Sequence, residues 1–280
     1  MTLQLPDWND LAACGDDRWT LLPAVLRVAA DEYPDLDPSS CADRLDALAD
    51  AIRPSLAGIA SLPLQMATIN HHLFHRAGFA GASDDYYAAD NNHLNRVLET
   101  RRGNPIALSI VQIEVAARLG LTVHGVSFPG HFLTRLDQGD DMVLVMDPYH
   151  GGRPLGLDQL EKLAAHHLGG QAPGTLLLQR LLMPATGRAI VLRLLRNLQR
   201  TWTSQNLWDR VARCADRQLL LAPEMDDALR DRGLAYLQMG HHVAARQDLE
   251  AYLLRVPDAD EQRLVRHLLG EIALQRGQLH

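Results

Sequence analysis

Apolar positions fall at three-to-four spacing through most of the first hundred residues, which predicts helices. From Trp19 to Tyr33 the stripe is Leu21, Leu22, Val25, Leu26 and Ala29, and Pro34 stops it. Ser39 and Ser40 are suited to cap a second helix carrying Leu45, Leu48, Ala49 and Ile52, which ends near Pro54. After Leu62-Pro63 a third run holds Met66, Ile69, Leu73 and Phe74, closed by Gly78 and the Gly81-Ala82-Ser83 turn. A loop from Asp84 to Asn92 leads to a short helix through Leu94, Val97 and Leu98. Then Asn104 suits an N-cap and Pro105 the first helical position, where its missing N–H costs nothing.

Beyond Gly120 the period changes. Leu121–Val126, Phe132–Leu136 and Val143–Met146 are predicted as short strands, the last ending at Asp147-Pro148. Residues 137–141 supply turn chemistry between the second and third strands. A helical layer with a small antiparallel sheet is an α+β domain, expected over 1–180, with N-terminal helices to residue 62 and a core over 63–165.

From Pro184 onward only helical patterning remains. Pro223 and Pro257 close apolar runs at the roughly 34-residue interval of a tetratricopeptide repeat. Between them stand the small residues Gly233, Ala235, Gly240, Ala244 and Ala245, which let paired helices approach. An all-α tetratricopeptide-like domain is expected over 185–280, irregular in its repeats.

Composition narrows the function classes. The chain has 280 residues, 47% of them apolar, and a net charge of -7, which argues against a broad nucleic-acid surface. Three widely spaced cysteines without a CxxC indicate neither a disulfide framework nor a cysteine zinc site. No basic stretch leads into an apolar N-terminal run, and the leucine-rich stretch from Leu176 to Leu198 is interrupted by charge and proline. A cytoplasmic protein without a membrane span is the expectation.

Histidine is abundant, and one pair has a spacing that can chelate a metal, but no metallohydrolase motif surrounds it. His71 and His75 are four apart on one helix face, yet His72 stands where a zincin would have glutamate. His166-His167 and His241-His242 are adjacent pairs whose side chains should diverge on a helix. No metal site and no cofactor are expected.

Several motifs together resemble one family. They are Asn91-Asn92-His93-Leu94-Asn95-Arg96-Val97-Leu98-Glu99, Arg101-Arg102-Gly103-Asn104-Pro105-Ile106, Phe128-Pro129-Gly130-His131-Phe132 and Asp147-Pro148-Tyr149-His150-Gly151-Gly152. In this set the chain resembles the bacterial SirB-type transglutaminase-like proteins nearly end to end. The resemblance implies a helix-rich transglutaminase-like (papain-like) domain followed by tetratricopeptide-like helices. It also implies a kinship with domains of some eukaryotic F-box proteins, and the family name suggests a link to virulence regulation. One departure lies at Ala89-Asp90-Asn91-Asn92, where the family tends to show Asp-Pro-x-Asn-Ser.

A transglutaminase site places its cysteine at a helix N-terminus, with a histidine to take the proton and an aspartate to orient it. By the register of the resemblance, Pro105 holds the cysteine position, while His131 and Asp147 remain as triad-like residues. Ser109, one turn deeper, and Cys41, on an N-terminal helix, are the other nucleophiles to weigh. His131 and Asp147 either line a groove with Asn104, Asn92, Tyr86 and Tyr87, or form a buried pair that satisfies itself. The leading expectation is a non-catalytic module that binds a protein or peptide partner. The alternative is a peptidase- or amidase-like hydrolase using His131 and Asp147 without a covalent cysteine intermediate.

Overall fold

The computed structural model describes residues 3–85, 87–139, 142–256 and 261–277, and the chain divides into two compact units. Residues 1–7 and 14–194 form the first, and residues 8–13 with 195–280 the second. The second unit therefore takes in the first helix, α1 (Trp8–Ala13).

Helices α2 (Leu21–Ala30), α3 (Pro38–Ile52) and α4 (Leu62–Asn70) open the first unit. The cap of α3 is not a serine. Asp37 holds that place, its carboxylate accepting from the Ser39 backbone N–H at 3.0 Å, with Pro38 at the first helical position. Proline preorganises that position, so Ser39 and Ser40 fall inside the first turn. Past Asn70 the chain does not stay α-helical: His71–Arg76 widens into a π-turn before Gly78.

A two-stranded parallel ladder joins β1 (Ala80–Gly81) to β2 (Arg102–Gly103), on either side of α5 (Leu94–Thr100). The chain then enters α6 (Pro105–Arg118), which lies at the centre of the unit and is buried along most of its length. The antiparallel sheet follows in sequence order: β3 (Val123–Val126), β4 (Leu133–Gly139), β5 (Met142–Asp147) and β6 (Arg153–Pro154). Side chains alternate across it. Val126, Leu133 and Val145 join Phe128 in a core with Leu160 and Ala164 of α7 (Leu157–His167) and Leu178 of α8 (Thr175–Leu181). Thr134, the next residue on β4, points instead to α6.

The second unit is helical throughout its described residues. The division between the units falls inside α9 (Gly187–Ser204), which is followed by α10 (Trp208–Leu221), α11 (Asp226–Gln238), α12 (His242–Arg255) and α13 (Glu261–Gly277). Leu229, Leu249, Tyr252 and Val265 form its core. Gly233 allows a close helix approach, since a Cβ there would meet Leu249 at 2.9 Å. Arg232 ties three helices together, bidentate to Asp248 at 2.7 and 2.9 Å and reaching Asp216 at 2.9 Å. Pro257 lies outside the described residues, so the closing proline of the second helical pair has no structural account here.

No helix among the described residues is long and apolar enough to cross a membrane.

Candidate functional site

Two turns and one strand register bring the site together. Phe128-Pro129-Gly130-His131 is a tight turn, with the His131 N–H bonded to the Phe128 carbonyl at 3.2 Å and Gly130 at φ +66°. On the antiparallel ladder Thr134 pairs with Met146, so the chain just before β4 faces the end of β5. That register sets His131 against Asp147. The contact is direct, His131 Nε2 to Asp147 Oδ1 at 2.9 Å.

Asp147 also caps the 3₁₀ turn that follows, accepting from the His150 backbone N–H at 3.3 Å. With Pro148 at the first position, the turn returns the His150 side chain to the same carboxylate, Nδ1 to Oδ2 at 2.6 Å. One buried carboxylate thus holds two imidazoles. Burial pushes the Asp147 carboxyl up, but the hydrogen bonds and charges of His131 and His150 outweigh it and hold it below its ordinary value. The Asp147 side chain is 4% exposed, that of His131 13% and that of His150 51%. The cluster is therefore anchored inside and open at one edge.

Tyr149 supports both rings. It meets His131 edge-on at 6.1 Å and His150 at 5.1 Å, and its hydroxyl donates to the Ala82 carbonyl at 3.3 Å. Gly81 makes room for it, because a Cβ there would stand 2.6 Å from the tyrosine ring. Arg193 donates to the His131 carbonyl at 3.4 Å and to Ser127 Oγ at 3.2 Å, so this arginine belongs to the site region.

A buried polar chain fixes the turn from below. Thr134 Oγ1 donates to Gln112 Oε1 at 2.5 Å, and Gln112 Nε2 donates to Asn70 Oδ1 at 2.5 Å. Asn70 Nδ2 then donates to the Gly152 carbonyl at 2.8 Å. Gly152 sits at φ +71°, and a Cβ there would lie 2.5 Å from Asn70 Cγ, so the close approach requires glycine. None of the partners in this chain was expected from the sequence. Their only signal there is polar residues interrupting apolar stripes, Asn70 and Gln112 among them.

The start of α6 is equally closed. Asn104 accepts from the Ala107 N–H at 3.0 Å and donates through Nδ2 to Asn92 Oδ1 at 2.5 Å. Asn92, Asn104 and Pro105 are all buried, and the Asn104 amide is divided between Asn92 and the helix cap. Tyr87 is 73% exposed, and Tyr86 lies outside the described residues. The loop before α5 is held by Asp90, which accepts from Tyr33 Oη at 2.5 Å and from Arg96 Nε at 3.0 Å.

The remaining nucleophiles are committed elsewhere. Ser109 Oγ is fully buried and donates to the Pro105 carbonyl at 2.8 Å. Cys41 is buried, and burial pushes its thiol up to about 11. Cys214 is buried, and Cys14 is half-buried.

His71 and His75 stack with ring centroids 5.4 Å apart and line a cleft of about 450 Å³. Its other walls include Asn70, Met146, His150 and Gly152. His166 and His167, expected to diverge, instead meet edge to face at 4.9 Å. They are the last two residues of α7, and the His167 ring lies against Gly130 of the turn before β4.

The sequence and the architecture agree with known families. The transglutaminase-like superfamily matches residues 39–196, and a tetratricopeptide repeat matches residues 198–270. The chain belongs to the transglutaminase-like superfamily, within the group of UPF0162 proteins that includes SirB1. A UPF0162 protein of Xylella fastidiosa (strain 9a5c) is 47% identical over 99% of both chains. SirB1 of Salmonella typhimurium is 24% identical over 85% of this chain and 87% of its own. Mouse F-box only protein 21 is 30% identical over 44% of this chain and 21% of its own length. No solved structure matches significantly.

Proposed function

We propose that this chain is a protein- or peptide-binding regulatory module whose transglutaminase-like site does not form an acyl-enzyme. One observation carries the reading. Pro105, which the family resemblance sets in the nucleophile's place, is buried at the first position of α6 behind an internally bonded Asn104 cap. Proline offers no nucleophile. Ser109 and Cys41 are no substitutes, the one buried under its own helix turn and the other a buried thiol with a raised pKa.

The retained features suit recognition. Helical repeats present extended side-chain surfaces, and the tail matches a tetratricopeptide repeat. His131 and His150 reach solvent at the edge of the site, and Tyr87 stands exposed on the loop before α5. A bacterial partner protein, engaged in the cytoplasm, is the occupant this reading predicts.

The second reading is a hydrolase in which His131, oriented by Asp147, activates water directly. The 2.9 Å contact favours it, because a carboxylate-bound imidazole has a fixed tautomer and direction.

Partner capture from lysate, followed by reconstitution with the purified partner, separates the two readings. Binding should survive reconstitution and weaken about tenfold or more in Tyr87→Ala or His131→Ala, a loss of roughly 1.4 kcal/mol. No reproducible partner, together with peptide or ester hydrolysis that disappears in His131→Ala, would establish the second reading instead.

A further inference from the structure

We propose that His131, Asp147 and His150 form a binding site for a divalent transition metal, Zn²⁺ foremost. One donor atom from each residue lies within 4.8 Å of the other two, a convergence of two imidazoles and one carboxylate. That donor set suits late first-row ions and is poor for Mg²⁺ or Ca²⁺, which prefer all-oxygen shells.

The geometry needs a local rearrangement of the two imidazoles about the carboxylate. Zinc bonds of about 2.0–2.2 Å to nitrogen and oxygen set neighbouring donors about 3.0–3.4 Å apart. The present contacts are 2.9 Å for His131 and 2.6 Å for His150, made to different oxygens of the carboxylate, and the three donor atoms lie within 4.8 Å of one another, so the two imidazoles draw together around a metal that replaces the shared protons. His150 can supply most of that movement, being half-exposed on a single 3₁₀ turn. Asp147 and His131 are held from behind, as ligands of a preformed site are.

The surroundings act as a supporting shell. Tyr149 stands edge-on to both imidazoles while its hydroxyl is bonded to Ala82, so it orients the rings without competing as a ligand. Three protein donors leave at least one tetrahedral position over. Since His150 is exposed and lines the cleft of about 450 Å³, that position is accessible to water or to a small ligand. The inference does not depend on partner binding, nor on the fate of any acyl transfer.

The test uses the full chain, stripped with chelator and titrated with Zn²⁺ by competition against a chromophoric chelator, and with Co²⁺ by visible d–d absorption. One equivalent should bind, with the Co²⁺ absorption of a four- or five-coordinate site, and Zn²⁺ should raise the Tm. His150→Asn, a change at a half-exposed side chain, should lower Zn²⁺ affinity by about 100-fold or more and abolish the Tm increase. Thermal unfolding of the metal-free variant checks that it folds. The double change His71→Ala and His75→Ala should leave the affinity as it was. Absence of binding to wild type, unchanged affinity in His150→Asn, or loss of binding in the His71/His75 variant would each overturn the assignment.

Discussion

Gln112 Nε2 donates to Asn70 Oδ1 at 2.5 Å in the interior, linking the central helix to the end of α4. Neither residue is solvent-accessible enough to recover that bond from water. Replacing Gln112 by leucine removes the bond and strands two further groups, the Thr134 hydroxyl and one face of the Asn70 amide. Each buried unsatisfied group costs about 1–3 kcal/mol. Gln112→Leu should therefore lower the denaturant-measured stability of the first unit by about 3 kcal/mol. Adding Asn70→Leu to it should cost less than the sum of the single changes, because the two residues share one network.

Gly152 and Gly151 make a paired test of crowding against conformation. Both are at positive φ, +71° and +78°, but only Gly152 has Asn70 where a Cβ would go. Gly151→Ala should cost about 1 kcal/mol, the strain of a left-handed alanine. Gly152→Ala should cost clearly more, by about 1–3 kcal/mol extra, as overpacking does. Thermal unfolding of the two variants side by side measures the difference.

Asn104 serves as cap and as internal partner together. Asn104→Ala loses the bond from the Ala107 N–H, worth about 1 kcal/mol, and leaves Asn92 Oδ1 without its donor. A total loss of about 2–3 kcal/mol is expected. Asn104→Asp keeps the cap but sets a carboxylate against the Asn92 oxygen, so it should rescue only part.

Asp90 gives the acid limb of stability a named contributor. Burial pushes its carboxyl up, and the hydrogen bonds from Tyr33 and Arg96 outweigh that, so its folded pKa lies below the ordinary value. A depressed carboxylate stabilises the fold above its unfolded pKa of about 4 and loses that contribution as pH falls through the folded pKa. The stability gap between wild type and Asp90→Asn should hold its full size from pH 7 down to about 5 and shrink steadily below about 4. Urea titrations across that range check it. Because the side chain is half-exposed, the gap will be modest.

Much of the fold is legible because its signals are local. Asn104-Pro105 announces the start of α6 through cap and φ chemistry alone, and the strands β3 to β5 overlap the three expected segments, although β4 runs on to Gly139 into the stretch read as a turn. The α3 cap shows the limit of that reading, since Asp37-Pro38 outranks two serines two residues on. The pair of His131 and Asp147 follows from motif resemblance, but His150 does not. Its arrival at the carboxylate depends on a 3₁₀ turn three residues long, capped by the residue it then touches. The Thr134, Gln112 and Asn70 chain is less legible still, because it depends on three elements meeting in three dimensions. Likewise the π-turn at His71–Arg76 has no composition signal, and it sets how His71 and His75 face the cleft.

Intact-mass spectrometry after incubation with activated acyl donors, peptidyl esters and glutamine-containing peptides among them, tests the central claim most directly. The mass should stay unmodified at every time point, with no amine-trapped product, in wild type and in His131→Ala alike. An acyl adduct on the wild-type chain that is absent from His131→Ala would contradict it and return the site to covalent catalysis.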